Sequence, residues 1–224
     1  SLYINESGAH ALATSIAVKN DSSGWFELNE ESHLKLSELD VILMRQDPPF
    51  NSNFIYNTYV LESAEREGVL VVNKPGSLRD CNEKVFATEF PECCTSFLVT
   101  SKASLLKSFI QDHKDTVIKP LDGMGGSSIF RLRNTDPNLN VILETITDSF
   151  MTKVMIQTYI PEITDGDKRI LLINGKPMNA AVARVPAEGE LRGNLAAGAS
   201  AVARSLTEKD LWICEQVGPK LKDL

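Results

Sequence analysis

A lysine followed by a cluster of glycines is the feature of this sequence best suited to chemistry. Lys119 ends an apolar run, and Gly123, Gly125 and Gly126 follow it in one loop. Glycine has no Cβ and adopts positive φ, so such a loop can turn backbone N–H groups toward an anion, to which the lysine adds a point charge. The pattern predicts a phosphate-binding loop. The alternative is an ordinary glycine-rich hairpin with one exposed lysine.

The residues around the glycines separate this loop from two common nucleotide-binding loops. No Gly-Lys-Ser/Thr follows the glycines, which excludes a Walker-type loop. The next run, Ser128–Leu132, has the pattern of a strand rather than a helix, so a Rossmann turn fits poorly. With Thr116–Ile118 on the other side, the segment predicts a hairpin whose loop lies over phosphates as a lid.

Three arginines are further residues of interest, and Arg45 is a candidate anion contact. Arg45 follows the buried strand predicted at Leu39–Met44, at the edge where open α/β sheets bind ligands. A plain surface arginine is the alternative there. Arg184 and Arg192 are charged anchors of the long glycine-bearing segment Pro186–Ser200. A structureless segment of that length in a compact domain is usually functional or disordered.

Composition excludes several classes of protein. The chain has 224 residues, of which 42% are hydrophobic and 24% charged, and its net charge is −7. No apolar run approaches the ~20 residues of a membrane span, so we expect no membrane partner. The acidic balance argues against a nucleic-acid surface and makes any phosphate site local. Four cysteines without a Cys-x-x-Cys pair indicate a reduced, cytoplasmic protein.

The first third of the chain predicts an α/β arrangement. Residues 40–75 have the pattern of a β-α-β unit, with a helix at Asn51–Glu67 between two buried strands. Ser77 is expected to cap a second helix over Leu78–Ala87.

The rest of the chain predicts two small α+β units. The first contains a helix at Lys102–His113 capped by Ser101, the lid hairpin, and a strand at Val154–Ile160. The second contains a hairpin turning at Asn174-Gly175 and a helix at Thr207–Lys222. Thr207 is expected to cap this helix in a capping box, with Asp210 at N3. The predicted domains are therefore 1–80, 81–158 and 159–224.

Taken together, these pieces resemble the bacterial glutathione synthetases of the ATP-grasp superfamily. The resemblance implies an α/β (α+β) protein with the ATP-grasp fold, in which a partial N-terminal α/β domain precedes two α+β subdomains that sandwich ATP. The stretches that carry it are Asp40–Phe50, Asn73–Pro75, Leu78–Lys84, Lys119–Gly126, Asp165–Arg169 and Arg192–Gly198.

The resemblance also implies roles for individual residues. Lys84, otherwise a candidate for solvated surface, and Lys119 would reach the ATP phosphates, under the lid of Gly123, Gly125 and Gly126. The remaining nucleotide contacts would be Gln157, Tyr159 and Ile160 at the adenine and Asp167 near the ribose. The catalytic cations around the phosphates and the acyl phosphate would be Arg169, Arg184 and Arg192. The substrate contacts would be Arg45 and Asn194.

The implied reaction joins γ-glutamylcysteine to glycine through an acyl phosphate, with ATP and Mg²⁺ (or Mn²⁺) as cofactors and a homotetramer as the assembly. Another ATP-grasp carboxylate–amine ligase, acting on D-alanine or glutamate, and an inactive nucleotide-binding fragment are the alternatives. The family's first strand and helix, and its C-terminal segment with the magnesium ligands, have no counterpart in this sequence. We therefore assign no metal ligand here and expect the ligands beyond Leu224.

Overall fold

The computed structural model describes residues 1–187, 193 and 198–224. These residues form two compact units, Ser1–Cys81 and Asn82–Leu224. None of the helices within these described ranges combines the length and the apolar character needed to cross a bilayer.

The first unit contains a three-stranded antiparallel sheet, a parallel pair of strands and two helices. The antiparallel sheet has the order β1-β2-β3, and the parallel pair joins β4 to β5. The elements are β1 (Leu2–Asn5), β2 (Gly8–Val18), β3 (Phe26–Lys35), β4 (Val41–Leu43), α1 (Ser52–Arg66), β5 (Leu70–Val72) and α2 (Pro75–Asp80).

Helix α1 joins β4 to the parallel strand β5, which confirms the predicted β-α-β unit. The helix begins where Asn51 Oδ1 accepts a hydrogen bond from the Phe54 N–H at 3.0 Å. Its residues at three- and four-residue spacing are the buried ones: Phe54, Thr58, Leu61 and Ala64. Leu61 and Ala64 pack with the buried residues of β2 and β5, so this face of the helix closes the core of the unit.

Helix α2 differs from the prediction for this segment. The predicted helix ran over Leu78–Ala87 with Ser77 as its cap, whereas the observed helix begins at Pro75, whose fixed φ suits a first helical position. It ends at Asp80 because Asn82 draws the chain into a turn with its side-chain amide, which competes with helical hydrogen bonding.

The second unit contains a four-stranded antiparallel sheet of order β6-β9-β7-β8 and a three-stranded one of order β10-β13-β14. A short hairpin, β11–β12, accompanies them. The strands are β6 (Phe97–Thr100), β7 (Asp115–Pro120), β8 (Phe130–Arg133), β9 (Val154–Thr158), β10 (Asp167–Arg169), β11 (Leu172–Ile173), β12 (Lys176–Pro177), β13 (Ala180–Val185) and β14 (Ser200–Ser205). The helices are α3 (Ala103–His113), α4 (Leu139–Ile146) and α5 (Glu208–Asp223).

The core of this unit lies against one face of the four-stranded sheet. It combines residues of α3, α4, β7, β8 and β9, namely Leu106, Ile110, Ile118, Leu132, Leu143, Val154 and Ile156. Side chains alternate along a strand, so Ile118 and Ile156 face the core while Lys119 and Gln157 occupy the opposite face. The core therefore fixes the two strands whose other face carries predicted site residues.

Two local predictions in this unit are confirmed and one is wrong. The turn of the β11–β12 hairpin has positive φ at Asn174 (51°) and Gly175 (76°), as an Asn-Gly turn requires. Helix α5 begins with the predicted capping box, in which the Asp210 N–H donates to Thr207 Oγ1 at 3.2 Å. Ser101 does not cap α3, because the helix begins after Lys102, whose N–H donates to Thr100 Oγ1 at 3.0 Å.

Candidate functional site

The predicted lid is a hairpin of β7 and β8, paired antiparallel from Asp115↔Arg133 to Ile118↔Phe130. Its loop has positive φ at Gly125 (67°) and Gly126 (79°), a conformation that side chains disfavour. A Cβ on Gly123 would lie 2.5 Å from Pro120 Cγ, so this glycine allows the chain to fold back on the proline ring. The strand–lysine–glycine loop–strand arrangement is therefore confirmed.

Lys119 is the penultimate residue of β7, just before the lid loop. It is half-buried and is the register partner of Met155 on β9. Burial lowers the pKa of its ammonium group below the ordinary value of 10.5, and the positive charge of Lys84 lowers the pKa further. The carboxylate of Glu83 acts in the opposite direction. Two lysines from separate elements thus share one electrostatic environment.

Lys84 is held against the lid loop. Its Nζ donates to the carbonyl oxygens of Gly123 at 2.9 Å and Leu121 at 3.3 Å, and it forms an ion pair with Glu83 Oε1 at 2.7 Å. Only 11% of the side chain is exposed. The alternative of a solvated surface lysine is therefore wrong, and Lys84 belongs to the same cluster as Lys119.

Asn82 is part of this cluster and was missed by the sequence reasoning. Its Oδ1 accepts from the N–H groups of Lys84 and Val85, each at 3.0 Å, and its Nδ2 donates to the Leu121 carbonyl at 3.2 Å. An asparagine two residues before a candidate lysine is a signal for a side-chain-closed turn, and could have indicated the first of these contacts. No local signal could have indicated the contact with Leu121.

The end of β9 carries the residues predicted at the adenine. Gln157 is the register partner of Val117 and so shares a sheet face with Lys119. The Tyr159 N–H donates to the Asp115 carbonyl at 3.0 Å. Ile160 lies beyond the paired part of the strand and is 52% exposed.

The Tyr159 ring is covered by a charged group. The Arg131 guanidinium lies 3.6 Å from the centre of the ring, in cation–π geometry, and donates to both oxygens of Asp115 at 2.7 and 2.6 Å. The segment after β9 is therefore fixed through both its main chain and its tyrosine ring.

Asp167 and Arg184, predicted at the ribose and the phosphates, are bound to each other. They are register partners on β10 and β13, and Arg184 Nε donates to Asp167 Oδ1 at 2.7 Å as part of a two-pronged ion pair. This hydrogen bond raises the pKa of the Arg184 guanidinium. A Cβ on the buried Gly193 would lie 3.1 Å from Asp167 Oδ2, so the main chain at Gly193 passes close to the ion pair.

The other predicted site residues lie elsewhere or outside the described residues. Arg169 is exposed on β10, two residues from Asp167 and thus on the same face of the strand. Arg45 is exposed in the loop after β4 of the first unit. Arg192 and Asn194 lie outside the described residues.

A metal site is not assembled by the described part of the chain. Among residues 1–187, 193 and 198–224, no three His, Cys, Asp or Glu side chains come together as a group that could hold a metal ion. Two acidic groups near the candidate site are already engaged with cations: Glu83 with Lys84, and Asp167 with Arg184.

Comparison with known protein families gives two adjoining matches. The family model of the prokaryotic glutathione synthetase N-terminal domain matches residues 1–79, and that of its ATP-grasp domain matches residues 83–224. Curated glutathione synthetases of Pseudomonas aeruginosa and Pseudomonas putida are 55% and 56% identical to the chain, and that of Escherichia coli O6:H1 is 50% identical. Each alignment covers 99% of this chain and 70% of the relative.

Solved structures give more distant similarities. A D-cycloserine synthetase aligns with a TM-score of 0.61 at 12% identity, over 83% of this chain and 66% of that one, slightly less than two thirds. The D-alanyl-alanine synthetase A of Vibrio cholerae aligns with a TM-score of 0.54 at 13% identity, over 98% of this chain and 68% of that one. At these identities the similarity is one of fold.

Proposed function

The chain belongs to the prokaryotic glutathione synthetase family, and from this membership we propose that Lys84, Lys119 and the glycine lid form the phosphate half of its ATP site. The fold is the ATP-grasp fold, and the activity is that of an ATP-dependent C–N ligase. The chain is a glutathione synthetase, which joins γ-glutamylcysteine to glycine.

The reaction sets the demands that the site must meet. The cysteinyl carboxylate of γ-glutamylcysteine attacks the γ-phosphorus of ATP, which forms an acyl phosphate and releases ADP. The glycine amine then attacks the acyl carbon, loses a proton and displaces phosphate. A carboxylate approaching a polyphosphate meets like-charge repulsion, so the site must supply fixed positive charge and must exclude water from the acyl phosphate.

The observation that carries the proposal is the meeting of two lysines beside one glycine loop. The chain has a net charge of −7, yet Lys84 lies close enough to Lys119 for its positive charge to lower the pKa of Lys119. Two neighbouring ammonium groups repel each other when no anion lies between them. A phosphate chain bound between them and the lid would offset this repulsion. The two ammonium groups would then hold the phosphates in place while the lid covers them.

The adenine end of the site is proposed at the end of β9. Lys119 and Gln157 occupy one face of the sheet, which supports a nucleotide lying along that face from the lid toward Tyr159 and Ile160. Beyond the ladder, Ile160 offers apolar surface and main-chain groups to a purine.

The cations around the reacting groups are proposed as Arg169, Arg184 and Arg192, with Arg45 and Asn194 as substrate contacts. For Arg184, the ion pair with Asp167 supports a role in which Asp167 fixes the guanidinium, in addition to the predicted ribose contact. Exposed Arg169 has its charge available to a ligand.

The remaining proposals concern the wider context. We propose Mg²⁺ or Mn²⁺ as the companion of ATP, a homotetrameric assembly, a cytoplasmic location, and no membrane or nucleic-acid partner. The residues that would hold the metal do not come together as a group among those that the structure describes. We also propose that the chain divides into domains at 1–80, 81–158 and 159–224.

The phosphate site is tested with Lys119→Ala. Loss of a charge-assisted contact should weaken binding of a non-hydrolysable ATP analogue by about 1.5–3 kcal/mol in calorimetric titration. Lys107→Ala, on the exposed side of α3, is the matched control and should bind normally. Wild-type affinity in Lys119→Ala would contradict the proposed site.

The activity itself is tested by substrate choice. ADP release should require γ-glutamylcysteine and glycine together, and D-alanine should not replace them. Turnover with D-alanine alone would favour the other carboxylate–amine ligases of this fold.

A further inference from the structure

Asn82 joins the Lys84 segment to the base of the lid, because its single amide forms hydrogen bonds with both. We propose that Asn82 is a positioning residue for the ligase reaction, which holds the Lys84 ammonium group at the phosphate site by binding the Lys84 turn to the base of the lid. This inference rests on the proposed phosphate site.

The oxygen and the nitrogen of the Asn82 amide form hydrogen bonds with two different segments of the chain. Oδ1 accepts the N–H groups of Lys84 and Val85, each at 3.0 Å, and closes a turn around the lysine. Nδ2 reaches across 39 positions in the sequence to the Leu121 carbonyl, at 3.2 Å. These hydrogen bonds fix the position of the Lys84 backbone relative to the base of the lid.

The Leu121 carbonyl oxygen is the shared point of the arrangement. It accepts from Asn82 Nδ2 at 3.2 Å and from Lys84 Nζ at 3.3 Å, while the Gly123 carbonyl accepts from the same Nζ at 2.9 Å. The side chains of the asparagine and the lysine therefore donate hydrogen bonds to the same carbonyl group. A shift of the turn would move the ammonium group away from the glycine loop.

A positioning residue is needed here because the lysine side chain is flexible. Its long stem carries large rotamer freedom, and its ammonium group has no fixed geometry of its own. The segment from Cys81 to Val85 lies between the end of α2 and a 3₁₀ turn at Phe86–Glu89, and is itself neither helix nor strand. The side-chain amide therefore supplies order that the local main chain does not.

The test is a double-mutant cycle between Asn82→Ala and Lys84→Ala, with affinity for a non-hydrolysable ATP analogue as the readout. Asn82→Ala alone should weaken binding about five- to twenty-fold, the scale of one or two lost hydrogen bonds. In the Lys84→Ala background it should have almost no further effect, because Asn82 acts through Lys84. Turnover should follow ATP affinity, while the KM values for γ-glutamylcysteine and glycine should stay near those of the wild type.

Asn5→Ala is the matched control, since Asn5 closes the same kind of turn in the first unit by accepting the Ser7 N–H at 2.9 Å. It should leave ATP affinity unchanged. If Asn82→Ala does not fold, Asn82→Ser replaces it, because serine retains an acceptor for the turn but is too short to bind Leu121 as well.

The outcomes separate this inference from the proposal beneath it. Normal affinity in Asn82→Ala, or equal losses in the two backgrounds, would overturn the role of Asn82 while leaving the phosphate site intact. Normal affinity in Lys84→Ala would remove Lys84 from the phosphate site, and the inference would fall with it.

Discussion

Asp115 shows how a single carboxylate can organise its surroundings. It accepts from Arg131 at 2.7 and 2.6 Å and from Arg133 at 3.2 and 3.0 Å, while its carbonyl accepts the Tyr159 N–H. The hydrogen bonds from Arg131 are the main cause that lowers its pKa from 3.8 to about 2; burial opposes them, and the hydrogen bonds from Arg133 and the charges of both arginines lower the pKa further. The residue therefore stays ionised far into acid.

This shift predicts an acid-dependent contribution to stability. Because the pKa is lower in the folded chain than in the unfolded chain, the stabilisation is complete above about pH 4 and is lost as the pH falls toward 2. Asp115→Asn should lower the free energy of unfolding by about 1–2 kcal/mol near pH 7, with allowance for solvent screening, and the deficit should shrink below pH 4. Urea unfolding at a series of pH values measures it.

Asp136→Asn is the control for this measurement, since asparagine keeps the acceptor that Asp136 offers to the Asn138 N–H. Its free energy of unfolding should match that of the wild type throughout. A deficit in Asp115→Asn that is constant across pH would show that shape rather than charge explains the loss.

At the scale of elements, the β11–β12 hairpin meets helix α5 through two glycines. A Cβ on Gly218 would lie 2.2 Å from the Gly175 carbonyl oxygen, and a Cβ on Gly175 would lie 2.8 Å from the Gly218 carbonyl oxygen. Both obstacles are backbone atoms, which cannot rotate away as a side chain can. The absence of both side chains lets the hairpin turn pack against the helix.

Gly218→Ala should therefore be destabilising, although alanine favours a helix by about 1 kcal/mol over glycine. Overpacking costs about 1–3 kcal/mol, and an approach of 2.2 Å to a backbone oxygen belongs in the upper part of that range. After the gain in helix propensity we expect a net loss of about 1–2 kcal/mol and a lower thermal midpoint. Gly24→Ala is the control, since a Cβ there would meet no atom within 4 Å. An equal midpoint for Gly218→Ala and the wild type would contradict the close packing.

Elements that depend on residues close together in the sequence could be predicted from the sequence. Contacts that depend on how two distant strands pair could not. The spacing of Phe54, Thr58 and Leu61 was enough to place α1, and the glycines were enough to place the lid. Helix α2 was misplaced because its end depends on the side chain of Asn82. The pair Asp167–Arg184 could not be foreseen, because it depends on how β10 registers against β13.

At the scale of the whole molecule, each unit has its own buried cluster. Leu61 lies in that of the first unit, and Ile118 in that of the second; their exposed fractions are 1% and 0%. Each cluster draws its residues from several elements of one unit, so each unit is expected to be a cooperative unit of stability.

Shortening a buried side chain in the core of one unit should therefore destabilise that unit and leave the other unchanged. Leu61→Ala should cost about 2–5 kcal/mol and speed amide hydrogen exchange in α1 and β5, whereas Ile118→Ala should do so in β7 and β9. Hydrogen-exchange mass spectrometry resolves the two patterns. Leu105→Ala, exposed on α3, is the control and should change neither. Equal acceleration across both units from either core substitution would show a single cooperative unit.

The half-buried position of Lys119 also governs its covalent reactivity. Electrophiles react with the neutral amine, and burial, followed by the charge of Lys84, lowers the pKa of Lys119 and so increases the fraction of free amine at neutral pH. A phosphate chain bound between the two lysines would counter this reactivity, because it would favour the charged ammonium form and cover the nitrogen. Lys119 is thus a suitable attachment point for a lysine-directed covalent inhibitor, and ATP would protect the enzyme against such a compound.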